Sequence, residues 1–450
     1  MIPQSPAIRR NMSYGVLEYV WQPAMMLIAA PILLKTLGVQ QYGTWMLVNS
    51  IAAAASGLGG GFGDGATKYV SMHRGSGDPE GAMRSLRAVL VVNCGFGLLA
   101  AVSMVICAPW LMRHAFTVEP DLQRVAIVAL RISAALLVVR FAEAVFVAAL
   151  RGLERYRPMV LVSVLARTLI VVSAIALAME GHGLVAILWA TLAISILSVT
   201  AQSWLAHSAI PADRMWRLDD LDAGVREVFA FGAFTWTKST LGVLISYADR
   251  LLVAGLLGTG PLAFYALCNQ LTQPIHALVA AAFNFIFPNF SAKTASGQWM
   301  ETNRTYRRAV VSAALAVVTI SASIIIGSRL ILRLWLGVMA GTQYRDLLIA
   351  MAVGNGLLAL SVVPHYAALA LGRTRALVVV NFIAGALSLA SGYVLIRHMG
   401  LIGAGLAKIV TGTAFLSLFG VVHRAFEVQE LPRGQEGSSA TGTSAVEFAR

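Results

Sequence analysis

Nine charged side chains lie inside stretches that are otherwise almost wholly apolar: the bases Arg131, Arg140, Arg167, Lys238, Arg250 and Lys408, and the acids Glu18, Glu143 and Asp249. Facing hydrocarbon, each would cost about 2.5–3.5 kcal/mol on insertion scales, on the order of 20–30 kcal/mol together. A domain's whole stability is roughly 5–15 kcal/mol. Most of the nine must therefore pair, snorkel to a surface or line a water-filled cavity. Bases outnumber acids, so such a cavity is cationic and suits an anion. Arginine suits phosphate in particular, because its planar fork reaches two oxygens at once. The six bases are the candidate substrate-binding residues.

Spacing sorts them further. Arg140 and Glu143 are three apart, share a helix face and are expected to pair. Asp249 and Arg250 are adjacent, so they point about 100° apart on a helix and each needs a partner on another element. Lys408 and Arg131 fall within snorkelling reach of a membrane surface. Arg167 has no acid near it in sequence, and it and Lys238 are the prime candidates for a cavity wall.

Enzyme chemistry has no foothold. The chain has no HExxH, GxSxG or nucleotide-binding pattern. His73, His114, His182 and His398 sit in short connections, and His276 and His365 in apolar runs as polar core residues. Cys94, Cys107 and Cys268 are too scattered for a metal site or a disulfide framework and read as small core side chains. The stretch SGLGGGFGDGATKYV, residues 56–70, fits no phosphate loop and reads as close helix packing or a local break. The expected inventory is therefore no catalytic residue, no metal and no cofactor, with movement driven by an H+ or Na+ gradient or by the membrane potential.

The elements that must carry these charges follow from composition. The chain is 58% hydrophobic and 12% charged, with a mean hydropathy of +0.74. An ordinary soluble domain carries about 25% charged residues. Apolar runs of bilayer-crossing length predict twelve helical spans, at 13–34, 42–62, 87–110, 123–149, 159–179, 184–206, 229–257, 262–288, 309–335, 346–371, 376–396 and 401–423. Pro23 and Pro31 interrupt the first run, which is read as a retained span rather than a cleaved signal. The runs are too long and continuous for barrel strands. The net charge of +13 reflects loop Lys and Arg rather than nucleic-acid binding. With the N-terminus inside, twenty-one Lys and Arg fall on the inner side against seven (Lys35, Arg113, Arg124, Arg329, Arg333, Arg345 and Arg397) on the outer. The positive-inside rule then places both termini in the cytoplasm.

The sequence also repeats itself. LGVQQYGTWML, Leu37 to Leu47, returns as LGTGPLAFYAL, Leu257 to Leu267, with Gly38 and Gly258 220 residues apart. ALRGLERYRPMVLV matches ALALGRTRALVVV, and GHGLVAILWA matches HMGLIGAGLA, in the same order. The chain thus divides into a six-helix half at 1–206, a cytoplasmic linker at 207–227, a second six-helix half at 228–424 and a disordered tail at 425–450. An even number of spans per half makes the repeats parallel, facing one another across a central path. The fold class is an all-α polytopic membrane protein. By the same offset Glu18 lies opposite Lys238, and this pair is read as an inner gate over the cavity.

LGVQQYGTWML, YADRLLVAGLLGTGPLAFYAL and GLIGAGLA, in this order and spacing, resemble the signature segments of polysaccharide-type flippases of the multidrug/oligosaccharidyl-lipid/polysaccharide exporter superfamily, over residues of about 10 to 424. Lys68 and Tyr69 keep the family's basic–aromatic pair, while Gly59 stands where the family often has Asp. The resemblance implies an undecaprenyl-pyrophosphate-linked oligosaccharide as substrate, moved across the bacterial inner membrane by alternating access, beside membrane lipid and polysaccharide assembly proteins. Two other readings compete. A cation-coupled multidrug antiporter would want an acidic cavity, and a membrane polymerase or glycosyltransferase an extended outer loop; neither is present. The topology has a direct check: Met215→Cys in the linker should resist labelling from outside intact cells, and efficient labelling there would invert the assignment.

Overall fold

In hydrocarbon a continuous apolar segment can satisfy its own N–H and C=O groups only as a helix, and helix is what these runs form. The computed structural model describes residues 6–57, 62–210, 242–243, 246–337 and 340–430, with side chains described outside 6–20, 22, 62–64, 340–341 and 428–430. The helices are α1 (Pro6–Ser56), α2 (Phe62–Ser76), α3 (Pro79–Trp110), α4 (Pro120–Gly152), α5 (Tyr156–Met179), α6 (Leu184–Ala209), α7 (246–256), α8 (Thr259–Phe283), α9 (Ile286–Ala295), α10 (Trp299–Leu336), the single turn α11 (Ala340–Gln343), α12 (Arg345–Leu360), α13 (Val362–Ala370), α14 (Thr374–Met399), α15 (Leu401–Phe415) and α16 (Ser417–Glu430).

Among the described residues ten apolar stretches are long enough to cross a membrane. With α1 counted as two passes these account for eleven of the twelve expected spans. α1 bends at Gly38 (φ 77°, ψ 163°) and so holds the first two passes, and the seventh expected span is described only as α7. Residues 211–227 of the linker and 431–450 of the tail lie outside the described residues, as do the side chain of Glu18 and all of Lys238; residues 207–209 belong to α6, and 425–430, expected as disordered tail, are helical in α16.

Several predicted spans are split where proline withholds a donor. Pro288 has no N–H for the Asn284 carbonyl, which takes that of Phe287 at 3.4 Å instead, and the expected span 262–288 divides into α8 and α9. Pro364 similarly leaves the Leu360 carbonyl without its helical donor, and 346–371 divides into α12 and α13 at Ser361. The span predicted at 401–423 divides at Leu416 without a proline. The second span ends at Ser56 instead of 62, and the Gly-rich stretch resumes as helix α2. α3 and α10 begin eight and ten residues before the predicted apolar runs, because their first turns are polar extensions. On α10, Val311, Leu315, Val318, Ile326, Leu330 and Leu334 form one exposed apolar stripe. It runs about 35 Å at 1.5 Å per residue, close to the roughly 30 Å of hydrocarbon.

The apolar core shows how the halves sit. One cluster joins both halves: Tyr42 and Leu47 of α1 pack with Leu262 and Tyr265 of α8 and Met351 of α12. Towards the opposite face it divides in two. One cluster, around Met83, Leu150 and Met159, lies wholly in the first half, and another, around Ile275, Phe290 and Val363, wholly in the second. The halves are therefore clasped at the face bearing the Gly38 and Gly258 turns and separate towards the face bearing the arginine-rich turns at 151–157 and 373–375.

The clasp is made by the repeated motif itself. Gly38 and Gly258 hold the same left-handed conformation, at φ 77° and 94°. Thr259 Oγ1 donates to Gln40 Oε1 at 2.9 Å, and the α-carbon of Gly43 lies directly on the Thr259 carbonyl, where no β-carbon would fit. Thr117 adds two bonds across the seam, its N–H to the Ala254 carbonyl and its hydroxyl to that of Gly255, both 3.2 Å.

The turn before α5 has a counterpart before α14, with Glu154 (φ 57°) and Gly372 (φ 70°) in the left-handed region. A non-glycine residue there carries roughly 1–2 kcal/mol of strain. The exposed ion pair of Glu154 with Arg74, 3.2 Å, offsets only about 0.2–1 kcal/mol of it. Glu154→Gly should therefore raise the melting temperature of the purified protein; a fall would show that the ion pair outweighs the strain.

Candidate functional site

Where the halves separate, charged side chains of α4 and α5 in the first half come near α7 of the second. Arg140 on α4 and Arg167 on α5 lie about 17 Å from their helices' arginine-rich ends, near the middle of the membrane. Arg140 is exposed and interacts electrostatically with Arg167 beside it and with Tyr247 of α7 across the cleft. The Arg250 guanidinium lies over the Tyr247 ring, 5.0 Å from its centroid, a cation–π geometry. Arg250 also acts on Tyr42 of α1, and its Nε is buried with no hydrogen-bond partner. Tyr247 thus stands between an arginine of each half, Arg140 and Arg250, and Arg167 lies on the far side of this group beside Arg140. Beside Arg167, the indole of Trp21 donates to Thr168 Oγ1 at 2.9 Å and ties α1 to α5.

The expected Arg140–Glu143 ion pair is replaced by a different arrangement. Glu143 Oε1 accepts from Ser198 Oγ at 2.7 Å and lies 3.5 Å from Gln202 Nε2, which donates to Ser163 Oγ at 3.1 Å. The carboxylate turns into the α4–α5–α6 interface for its hydrogen bonds and reaches Arg140 only through its charge.

Lys408 does not snorkel, and it is not an unpaired cavity cation. Its Nζ is 2.7 Å from Asp249 Oδ2. That oxygen also accepts from the Tyr265 hydroxyl at 2.6 Å, and Asp249 Oδ1 from the Arg250 backbone N–H at 2.7 Å. The pair is mostly shielded from solvent, the two side chains 24% and 19% exposed. Gly354 of α12 packs against the Lys408 backbone and holds α15 close enough for the reach. Asp249 thus finds its partner on another helix, as adjacency with Arg250 required, and the ion pair braces α7 against α8 and α15 directly beneath Arg250.

Arg131 is also relocated. It lies nine residues before Arg140 on α4, hence about 180° around the helix, and is exposed beside Val128 and Ala135. With Arg140 on the cleft, Arg131 is on the opposite surface and does not line the cavity. Of the six candidate cations, the structure brings together Arg140, Arg167 and Arg250. Lys408 belongs to a brace, Arg131 to the perimeter, and Lys238, with the Glu18–Lys238 gate, lies outside the described residues. Tyr247 and Tyr265 were missed by sequence reasoning; the stretch YADR, which places an aromatic three residues before Arg250, was the available signal. Among the described residues no group of three metal-ligating side chains occurs.

The chain matches the polysaccharide biosynthesis protein family over residues 78–345. It is 23% identical over 186 residues to a candidate O-antigen transporter of Shigella flexneri, covering 40% of this chain and less than half, 43%, of that protein. Two solved structures share the fold. One is an inward-facing multidrug resistance MATE family transporter of the MOP superfamily, with a TM-score of 0.77 at 15% identity over 91% of this chain and 96% of that one. The other is the lipid II flippase MurJ in an inward closed conformation, with a TM-score of 0.70 at 16% identity over 93% and 90%.

The brace yields a double-variant test. Asp249→Asn or Lys408→Met alone strands a shielded charge, which costs about 3–5 kcal/mol, and should sharply lower the melting temperature and the yield of folded protein. The double variant should recover most of the loss. If the double is as unstable as the worse single, the two residues do not act as a pair.

Proposed function

Because the chain belongs to the polysaccharide biosynthesis protein family, we propose that it flips an undecaprenyl-pyrophosphate-linked oligosaccharide from the cytoplasmic to the outer leaflet of the bacterial inner membrane by alternating access. It is a multi-pass transporter, not an enzyme. One observation supports the substrate reading: Arg140 of one half, with Arg167 beside it, and Arg250 of the other half both neighbour Tyr247. Such a group holds a diphosphate from both sides at once, since each guanidinium can grip two oxygens.

The mechanism follows from solvation. A glycan crossing hydrocarbon unaided loses its hydrogen bonds to water at several kcal/mol per group. In the cleft, polar walls and water replace them while the prenyl chain stays in lipid alongside. The arginine-rich face is the cytoplasmic one by the positive-inside rule, so the clasped, cytoplasm-open shape is the one that receives substrate. An inside-negative potential then favours outward movement of the bound anion by about 2.3 kcal/mol per charge per 100 mV. The drug-antiporter reading is the weaker, because cationic drugs would meet three arginines.

The decisive experiment is flipping of a labelled polyprenyl-pyrophosphate saccharide in proteoliposomes. Arg167→Ala should abolish it at unchanged protein level, and Arg167→Lys should restore only part, because the ammonium lacks the fork. A prenyl-linked saccharide without phosphate should not be moved. Full activity in the alanine variant, or equal transport of the phosphate-free lipid, would sink the proposal.

A further inference from the structure

One bond joins the halves through chemistry that neither half completes alone. The indole N–H of Trp335, near the end of α10 in the second half, donates to the backbone carbonyl of Leu27 in α1 of the first half, at 2.8 Å. In an unbroken helix that carbonyl would accept the N–H of residue 31. Residue 31 is proline and has none to give. The carbonyl is orphaned by its own helix, and the indole that fills the place comes from the other side of the cleft. The arrangement is one-sided: the 220-residue offset of the repeats puts Leu251 where Pro31 stands, so the second half's first span keeps its N–H. Trp335 itself packs against the core that joins the halves at the clasped face.

We infer that Pro31, Leu27 and Trp335 form a latch that sets the resting conformation, holding the clasped face shut until the halves part. Parting that face separates α10 from α1 and frees both groups at once. The Leu27 carbonyl cannot fall back on its helix, because Pro31 still lacks the donor. The indole N–H can turn only to water entering the newly opened side. The state clasped on one face and open on the other is thereby favoured by one net hydrogen bond, which corresponds to roughly a three- to tenfold population ratio. Thr259–Gln40 and the Thr117 bonds lie across the same seam and add to the same bias. The latch rests on alternating access, but its readout needs no substrate, so its failure is separable from failure of the transport reading.

The test uses the full chain in lipid nanodiscs with the three native cysteines replaced. Spin labels go on Glu180→Cys in the first half and His398→Cys in the second, both exposed beside the clasped face, and the distance distribution between them is recorded by double electron–electron resonance. The parent should be dominated by short distances. Trp335→Phe keeps the ring's bulk and removes the donor, and should raise the ratio of long to short distances three- to tenfold. Pro31→Ala should act in the same direction by giving the Leu27 carbonyl a donor inside its own helix. Because both remove one bond, the double variant should shift the ratio no further than the larger single change. An unchanged distribution in either single variant overturns the latch, and so does full additivity in the double. Pro31→Ala decides the matter alone if Trp335→Phe does not reach the membrane.

Discussion

Lipid offers a polar group nothing to bond to. Within the described spans, groups that water would satisfy in a soluble protein must be satisfied by protein, and the architecture of this chain can be followed by asking where each one goes. Asp249 goes to Lys408, Tyr265 and a backbone N–H. Glu143 goes to Ser198 and Gln202. The Leu27 carbonyl goes to an indole from the other half. Each solution ties together elements distant in sequence, so the same constraint that makes a charge expensive makes its partner a structural joint. What remains in the cleft is a cationic group whose natural complement is an anion.

The division of the core explains how one chain can be both firm and mobile. At the clasped face the apolar contacts run unbroken from α1 to α8 and α12. Towards the arginine-rich face each half keeps its own closed cluster, so neither interior depends on the other there. The seam combines this apolar packing with polar bonds and a close glycine contact at the Gly38 and Gly258 turns. The asymmetry between the halves lies in their charges: the second carries the Asp249–Lys408 brace, and the first the Arg140–Arg167 pair.

The all-helical membrane fold, the repeat and its hinge glycines were legible in sequence, because hydropathy and glycine-marked turns act locally. The same locality explains what was misread. Lys408 looked like a residue near a membrane surface because its partner, Asp249, is far away in sequence. Arg131 was read as within snorkelling reach of a surface, and its place on the outer side of α4, about 180° from Arg140, agrees with that. Glu143 was matched with Arg140 because both share a helix face, but Ser198 and Gln202, invisible to any reading of α4 alone, offered better geometry. The bend at Asn284 was legible from Pro288, and the split at Ser361 could have been read from Pro364 in the same way. The need for arginines in a cavity followed from solvation cost alone, while the role of Tyr247 between them depended on how the two halves face each other.

The clasp bears on ancestry. Two identical half-chains meeting on a two-fold axis would form an isologous interface, in which every contact across the axis is a residue facing its own copy or occurs twice. Here the matching turns still meet, but their residues have parted company: Gln40 occupies space that Gly260, its counterpart, leaves empty, and Thr259 reaches across to it where the first half has Val39. The two sides of the surface are complementary in one chain, a bulky polar side chain on one and its absence on the other. A symmetric pairing of either half with itself would put two glutamines into one space or leave two voids. The seam therefore works as a lock and key within a single polypeptide, and it makes the order of the halves along the chain matter in a way that their shared fold alone would not.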